Sequence, residues 1–188
     1  PGCHLVHCSG ALGLEGADAV WHPMRPFSRA VSVPQDLGGC VVGLRGDSGV
    51  VDWLAERTRA WNGEPVRLAK NCAEQVHLAC CFAAGYSALM ADISRQNFSD
   101  AGLSKEQTER AFAGLAGPAV AAVLERGAAA ITGPAARGDW AVLAKHHARL
   151  EAADRALHRA LLEALDARGV LPQGVATVFG GANTETTG

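Results

Sequence analysis

Apolar and polar positions follow two different periods along this chain, and the change falls near residue 70. Before it, short runs of β-branched and apolar residues stand between turn signals, the pattern of strands. "HLVHC" (4–8), "DAVWH" (18–22), "CVVGLRG" (40–46) and "PVRLA" (65–69) are the predicted strands. Between the last two, "GVVDWLAERTRAW" (49–61) places Val50, Val51, Leu54, Thr58 and Trp61 near helical spacing, with Asp47 or Ser48 as N-cap and Asn62-Gly63 as the stop. Strand, helix, strand is the repeating unit of a parallel sheet covered by its crossover helix.

From Asn71 onward the period is helical. "CAEQVHLACCFAAGYSALMADISRQNF" (72–98) predicts one long alanine-rich helix. Ser104 and Gln107 are spaced for a capping box at the head of a second, running to Gly127, in which Gly117-Pro118 predicts a kink or break. "AAAITGPAARGDW" (128–140) predicts a loop, and Asp139 a cap for a third long helix over 140–169, ended by Gly169 and Pro172. The fold class expected is therefore an α/β remnant, a few-stranded and mostly parallel sheet with one or two helices, followed by an all-α helical domain. The expected boundaries are 1–70, 71–169, and a flexible polar tail over 170–188.

Composition narrows the function classes. With 48% hydrophobic and 19% charged residues among 188, the chain has enough apolar material for a substantial core. A formal net charge of −2, with no polybasic run, argues against a nucleic-acid partner. No uncharged apolar run reaches the ~18–20 residues of a membrane span, so no membrane partner is expected. The six cysteines (Cys3, Cys8, Cys40, Cys72, Cys80, Cys81) are irregularly spaced and include a vicinal pair, which predicts reduced thiols and a cytoplasmic protein. Cys3, His4, His7 and Cys8 crowd the start, but in an extended strand alternate side chains point to opposite faces, so no metal site is expected there.

Three motifs carry a resemblance: "VHCSGALG" (6–13), "WHPMRPFS" (21–28) and "ITGPAARGDWAVLAKHHARL" (131–150). Through them the chain resembles the Rossmann-like oxidoreductases that carry a C-terminal helical domain of unknown function, the 2520 family. That family sits in the 6-phosphogluconate-dehydrogenase-like superfamily with the ketopantoate reductases. The resemblance implies an NAD(P)-dependent reductase of a small keto acid or imine, with NADP as cofactor and a homodimeric assembly. It also implies that the nucleotide-binding βαβ unit lies upstream. The Gly-x-Gly-x-x-Gly turn of that unit is missing here: Gly10, Gly13 and Gly16 are spaced three apart and lack the first close pair. A chain that begins at Pro1 with a strand is thus expected to be a fragment, or a relative that has lost its cofactor half.

The candidate site follows from strand ends and from the resemblance. His7, Ser9 and Gly10 end one strand and Pro23 another, where open α/β sheets bind ligands, and the resemblance sets these residues beside the nicotinamide. Arg25 and Arg137 suit a bidentate grip on a substrate carboxylate, and His146 could face a cleft. His22 and His77 are the candidate proton donors, His77 matching a histidine of the family's helical domain. Relatives often carry a lysine before that histidine and an asparagine after it, where this chain has Ala73 and Gly85. Two further readings therefore stay open: a cofactor-free relative that binds a small-molecule ligand or catalyses a non-redox step, and a helical dimerisation module.

Overall fold

The computed structural model describes residues 2–27, 37–69 and 71–172. Ser28 and Lys70 fall outside them, as does the predicted tail beyond Pro172. The chain divides into two compact units, residues 1–90 and 91–188.

The first unit is built on a four-stranded sheet in the order β1 (Val6–His7), β2 (Ala19–Pro23), β3 (Val41–Gly46) and β4 (Glu64–Arg67). The predicted strand–helix–strand unit is present: β3 and β4 pair in parallel, joined through α1 (Ser48–Ala60). β1 and β2 are also parallel, whereas β2 and β3 run antiparallel with His22 opposite Gly43. The sheet is therefore mixed. α1 starts where Asp47 accepts hydrogen bonds from the Gly49 and Val50 amides, and it stops where Asn62 takes a left-handed φ of 60°.

Alternation decides what lies on each face of this sheet. Ala19, Val42 and Leu44 are buried with Val50, Val51, Leu54 and Ala55 of α1, and Trp21 packs against the same cluster. Full burial of one such aliphatic side chain is worth roughly 1.5–3 kcal/mol, so this cluster carries the stability of the α/β part. Thr58 sits inside it, fully buried, accepting from Trp21 Nε1 at 2.8 Å and donating to the Leu54 carbonyl at 2.8 Å. His22 and Arg45 alternate with these positions and so belong to the opposite face.

The long helix predicted over 72–98 is three consecutive pieces: α2 (Ala73–Cys81), a π-helical turn (Phe82–Tyr86) and α3 (Ser87–Asp100). The boundary between the compact units falls within α3, after Met90. α4 (Lys105–Arg126) opens on the predicted capping box, with Ser104 Oγ accepting from the Gln107 amide and Gln107 Oε1 from the Ser104 amide. It runs through Pro118 without breaking. A proline deletes one amide donor from the ladder, a loss that the intact turns on either side contain.

A 3₁₀ turn (Gly127–Ala130) and the four-residue α5 (Pro134–Arg137) occupy part of the predicted loop. The predicted third helix is in fact two, α6 (Trp140–Arg149) and α7 (Ala152–Asp166), because Leu150 is extended with ψ 145°. The resulting hairpin buries Leu143 against Leu162, with Ala135 and Leu171, in a second core. The predicted Asp139 cap is not made by its carboxylate, which bonds Arg137 instead; only the Asp139 carbonyl receives the first amides, those of Val142 and Leu143.

Two helical stretches, Ala73–Asp100 and Lys105–Arg137, are long and apolar enough to cross a membrane by length and composition, with window mean hydropathies of 1.4 and 1.2. Both stretches contain charged residues, unlike the uncharged run expected of a span. None of the residues in either window is buried within the chain.

Candidate functional site

The loop between β1 and β2 is held by two side chains. His7 bridges it, with Nε2 donating to the Gly13 carbonyl at 2.7 Å and Nδ1 accepting from the Ser9 amide at 3.2 Å. Both ring nitrogens are used, so the pair of bonds holds the ring in place. Arg45 Nη2 donates to the Leu12 carbonyl, and Ser9 Oγ accepts from the Leu12 amide at 3.2 Å. The loop lays Gly10 on the imidazole of His22: a Cβ added at Gly10 would stand 2.4 Å from His22 Cε1. Of the residues expected around a nicotinamide, His7 and Ser9 thus spend their polar groups on the loop. Gly10 packs on His22, and Pro23 is buried at the end of β2.

His22 opens onto a cavity of about 860 Å³, walled on one side by His22–Pro26 and on the other by α2 and the π turn. Met24, Arg25, His77, Cys80 and Cys81 also line it, and the whole lining belongs to the first compact unit. The structure therefore brings together four of the predicted residues, His22, Pro23, Arg25 and His77, from segments more than fifty residues apart in sequence. The His22 and His77 rings lie 6.3 Å apart, centre to centre. Burial, then the neighbouring His77, then the Arg45 guanidinium, hold the His22 pKa below the ordinary imidazole value. His22 is consequently neutral at pH 7, able to donate one N–H and accept once.

His77 has a partner that the sequence reading passed over. Cys81, one helical turn on, places Sγ 3.7 Å from His77 Nε2, while His77 Nδ1 is buried with no hydrogen-bond partner among the described residues. The i, i+4 spacing of a histidine and a cysteine was the available signal. Cys80 and Cys81 are half-buried and line the cavity, so they are not simply core residues. Burial, then Cys81, raises the Cys80 pKa. The π turn that follows is stabilised by Ser87 Oγ, which donates to the Phe82 carbonyl at 2.8 Å, and such turns occur often at functional sites.

The remaining predicted residues lie in the second compact unit. Arg137 is engaged by Asp139, through Nε at 3.0 Å and Nη2 at 2.8 Å, and His146 is exposed on α6. The same unit contains a further contact between two histidines eleven residues apart. The α6–α7 hairpin sets His147 Nδ1 3.3 Å from His158 Nδ1. Burial, with Arg155 and Arg159, lowers the His147 pKa, and burial, with His147 and His146, lowers that of His158.

A dinucleotide has no phosphate grip among the described residues. Gly10 faces a histidine ring, the Gly13 carbonyl is taken by His7, and Glu15-Gly16 forms a reverse turn closed from the Ala17 amide to the Leu14 carbonyl. No helix follows this loop, and the N-terminus of α1 is already occupied by the Asp47 carboxylate. Among the described residues, no three metal-ligating side chains converge either.

The profile of a domain of unknown function, DUF2520, matches residues 40–165, about two thirds of the chain. The chain belongs to the DUF2520 family. The match runs from β3 to the end of α7 and includes His77, Cys81, Arg137 and His146, while the His7–Arg25 stretch precedes it. Solved structures share the fold. Protein TM1727 from Thermotoga maritima is 26% identical, with a TM-score of 0.66 over 90% of this chain and 69% of that one. BF3122 from Bacteroides fragilis, provisionally named an NADP oxidoreductase, is 21% identical, with a TM-score of 0.71 over 87% of this chain and 64% of that one. No curated protein matches the DUF2520 chain.

Proposed function

We propose that this chain forms the substrate side of an NADP-dependent oxidoreductase acting on a small keto acid or imine, with a branched, ketopantoate-like keto acid as the most specific version. The observation that carries the reading is the His22–His77 pair on the wall of an 860 Å³, largely apolar cavity. A concave apolar space with a few polar groups is the usual form of a small-molecule site. The neutral His22 ring donates a hydrogen bond to a carbonyl oxygen or imine nitrogen and orients it. His77, facing the same space, holds the proton that such an atom takes up on reduction. Arg25 suits a carboxylate at the other end of the ligand. The name of the Bacteroides fragilis neighbour supports the oxidoreductase class. NADP would supply hydride when bound, and its phosphates find no cradle in the described residues. The reading accordingly gives this chain only ligand binding and proton handling.

Calorimetric titration with short branched 2-oxo acids tests it. Saturable binding is expected, weakened about tenfold by Arg25→Ala, the loss of one charge-assisted contact. Absence of binding up to about 10 mM, weaker than a useful small-ligand site, would overturn the reading. We also propose that the chain is a homodimer, since α4 leaves Leu115, Val120 and Leu124 exposed.

A further inference from the structure

The geometry points to Cys81 as a covalent attachment site for α,β-unsaturated carbonyl compounds, with His77 as its base and His22 as donor to the carbonyl oxygen. Three observations meet there. Cys81 Sγ lies 3.7 Å from His77 Nε2 within one turn of α2, the arrangement in which an imidazole takes the proton from a thiol. The same cavity is lined by Cys81, His77 and His22, and its apolar walls suit the body of an enone. The other ring nitrogen, His77 Nδ1, is buried with no hydrogen-bond partner among the described residues, so the Cys81 contact is the hydrogen bond this ring makes there.

The step balances without an oxidant. The Cys81 thiol proton passes to His77 Nε2, and the sulfur lone pair forms a C–S bond to the β-carbon. The C=C π pair moves toward the carbonyl, where the His22 N–H stabilises the enolate oxygen. The proton then leaves His77 for the α-carbon. Addition is complete with no leaving group. A soft carbon electrophile is the class that a polarisable thiolate prefers, and an apolar cavity selects enones with a hydrocarbon body over charged ones. The inference stands apart from the reductase reading, because it requires neither cofactor nor reduction.

Cys80 is an internal control: it lines the same cavity, makes no histidine contact among the described residues, and its thiol is pushed up by burial and by Cys81. The experiment is alkylation of the whole chain with limiting N-ethylmaleimide at pH 7, read cysteine by cysteine by peptide mass spectrometry. Cys81 is expected to react about tenfold or more faster than Cys80, the usual scale of thiol activation by a neighbouring base. His77→Gln is expected to bring the two rates together while the circular dichroism spectrum stays unchanged. Equal rates in the unmutated protein, or a Cys81 rate indifferent to His77→Gln, overturn the proposal. A pH profile of the unmutated chain tests the pairing with no variant. Cys81 alkylation should fall much less between pH 8 and about 6.5 than that of Cys80 and Cys8, whose thiols burial pushes up. A decline in step with Cys80 and Cys8 would equally reject it.

Discussion

Gly10 has no side chain, and the His22 imidazole occupies the room this leaves. Gly10→Ala would drive a methyl group to 2.4 Å from the ring, so either the loop lifts or His22 turns. We expect the fold to persist, since the α1-covered core is on the other face, and 2-oxo acid binding to fall about tenfold, the equivalent of one lost hydrogen bond. Calorimetry on the purified variant reads this directly. Thr58 offers a complementary test in the core. Thr58→Val keeps the shape but removes the hydroxyl that serves both Trp21 Nε1 and the Leu54 carbonyl. Leaving a half-buried indole N–H unpaired should lower the unfolding free energy by about 1–2 kcal/mol in urea denaturation. The sequence names Gly10 as a site candidate and Thr58 on a helix face but not these roles, because their partners His22 and Trp21 lie more than ten positions away.

Among the elements, the α6–α7 hairpin carries the clearest consequence of pH. His147 and His158 face each other at 3.3 Å, so one nitrogen must accept and the contact tolerates one proton at most. His146, Arg155 and Arg159 add positive charge beside them. Both folded pKa values lie below the unfolded value of about 6.5, so on acidification the unfolded chain binds protons first. The stability these groups contribute is complete above that value and is lost as pH falls below it, through the lowered folded values. His22 acts in the same direction in the first unit. The melting temperature should therefore be lower at pH 5.5 than at pH 7.5, and the gap should narrow in His158→Leu; a gap unchanged by that substitution would exclude the hairpin as its source. The capping box at Ser104, the Asp47 cap and the Asn62 stop were legible in sequence because each is a local bond between residues two to four apart. The break at Leu150 and the π turn were not. Neither contains glycine or proline at the point of departure except Gly85, and what holds them is the packing of Leu143 on Leu162 and the Ser87–Phe82 bond.

At the scale of the whole molecule, the described helices leave large apolar side chains exposed. Val120 and Leu124 lie one turn apart on α4, and Leu124 is 83% exposed. A second copy covering this helix would show as twice the chain mass in light scattering after gel filtration, and Leu124→Glu should shift the protein toward monomer. A monodisperse monomer for the unmutated chain would refute the dimer.

The sequence alone determined which segments are strands and which are helices, where most of them start, and the two-part architecture, because those properties follow from side-chain period and local capping. It also marked His22, Arg25 and His77 as chemistry-bearing. Only the tertiary structure decided that β2 and β3 run antiparallel, that His22 and His77 share one cavity with Cys81, and that His147 meets His158. Strand direction and side-chain convergence depend on how distant segments close on one another. The energies involved are set by burial and contact across the fold, which no local pattern encodes.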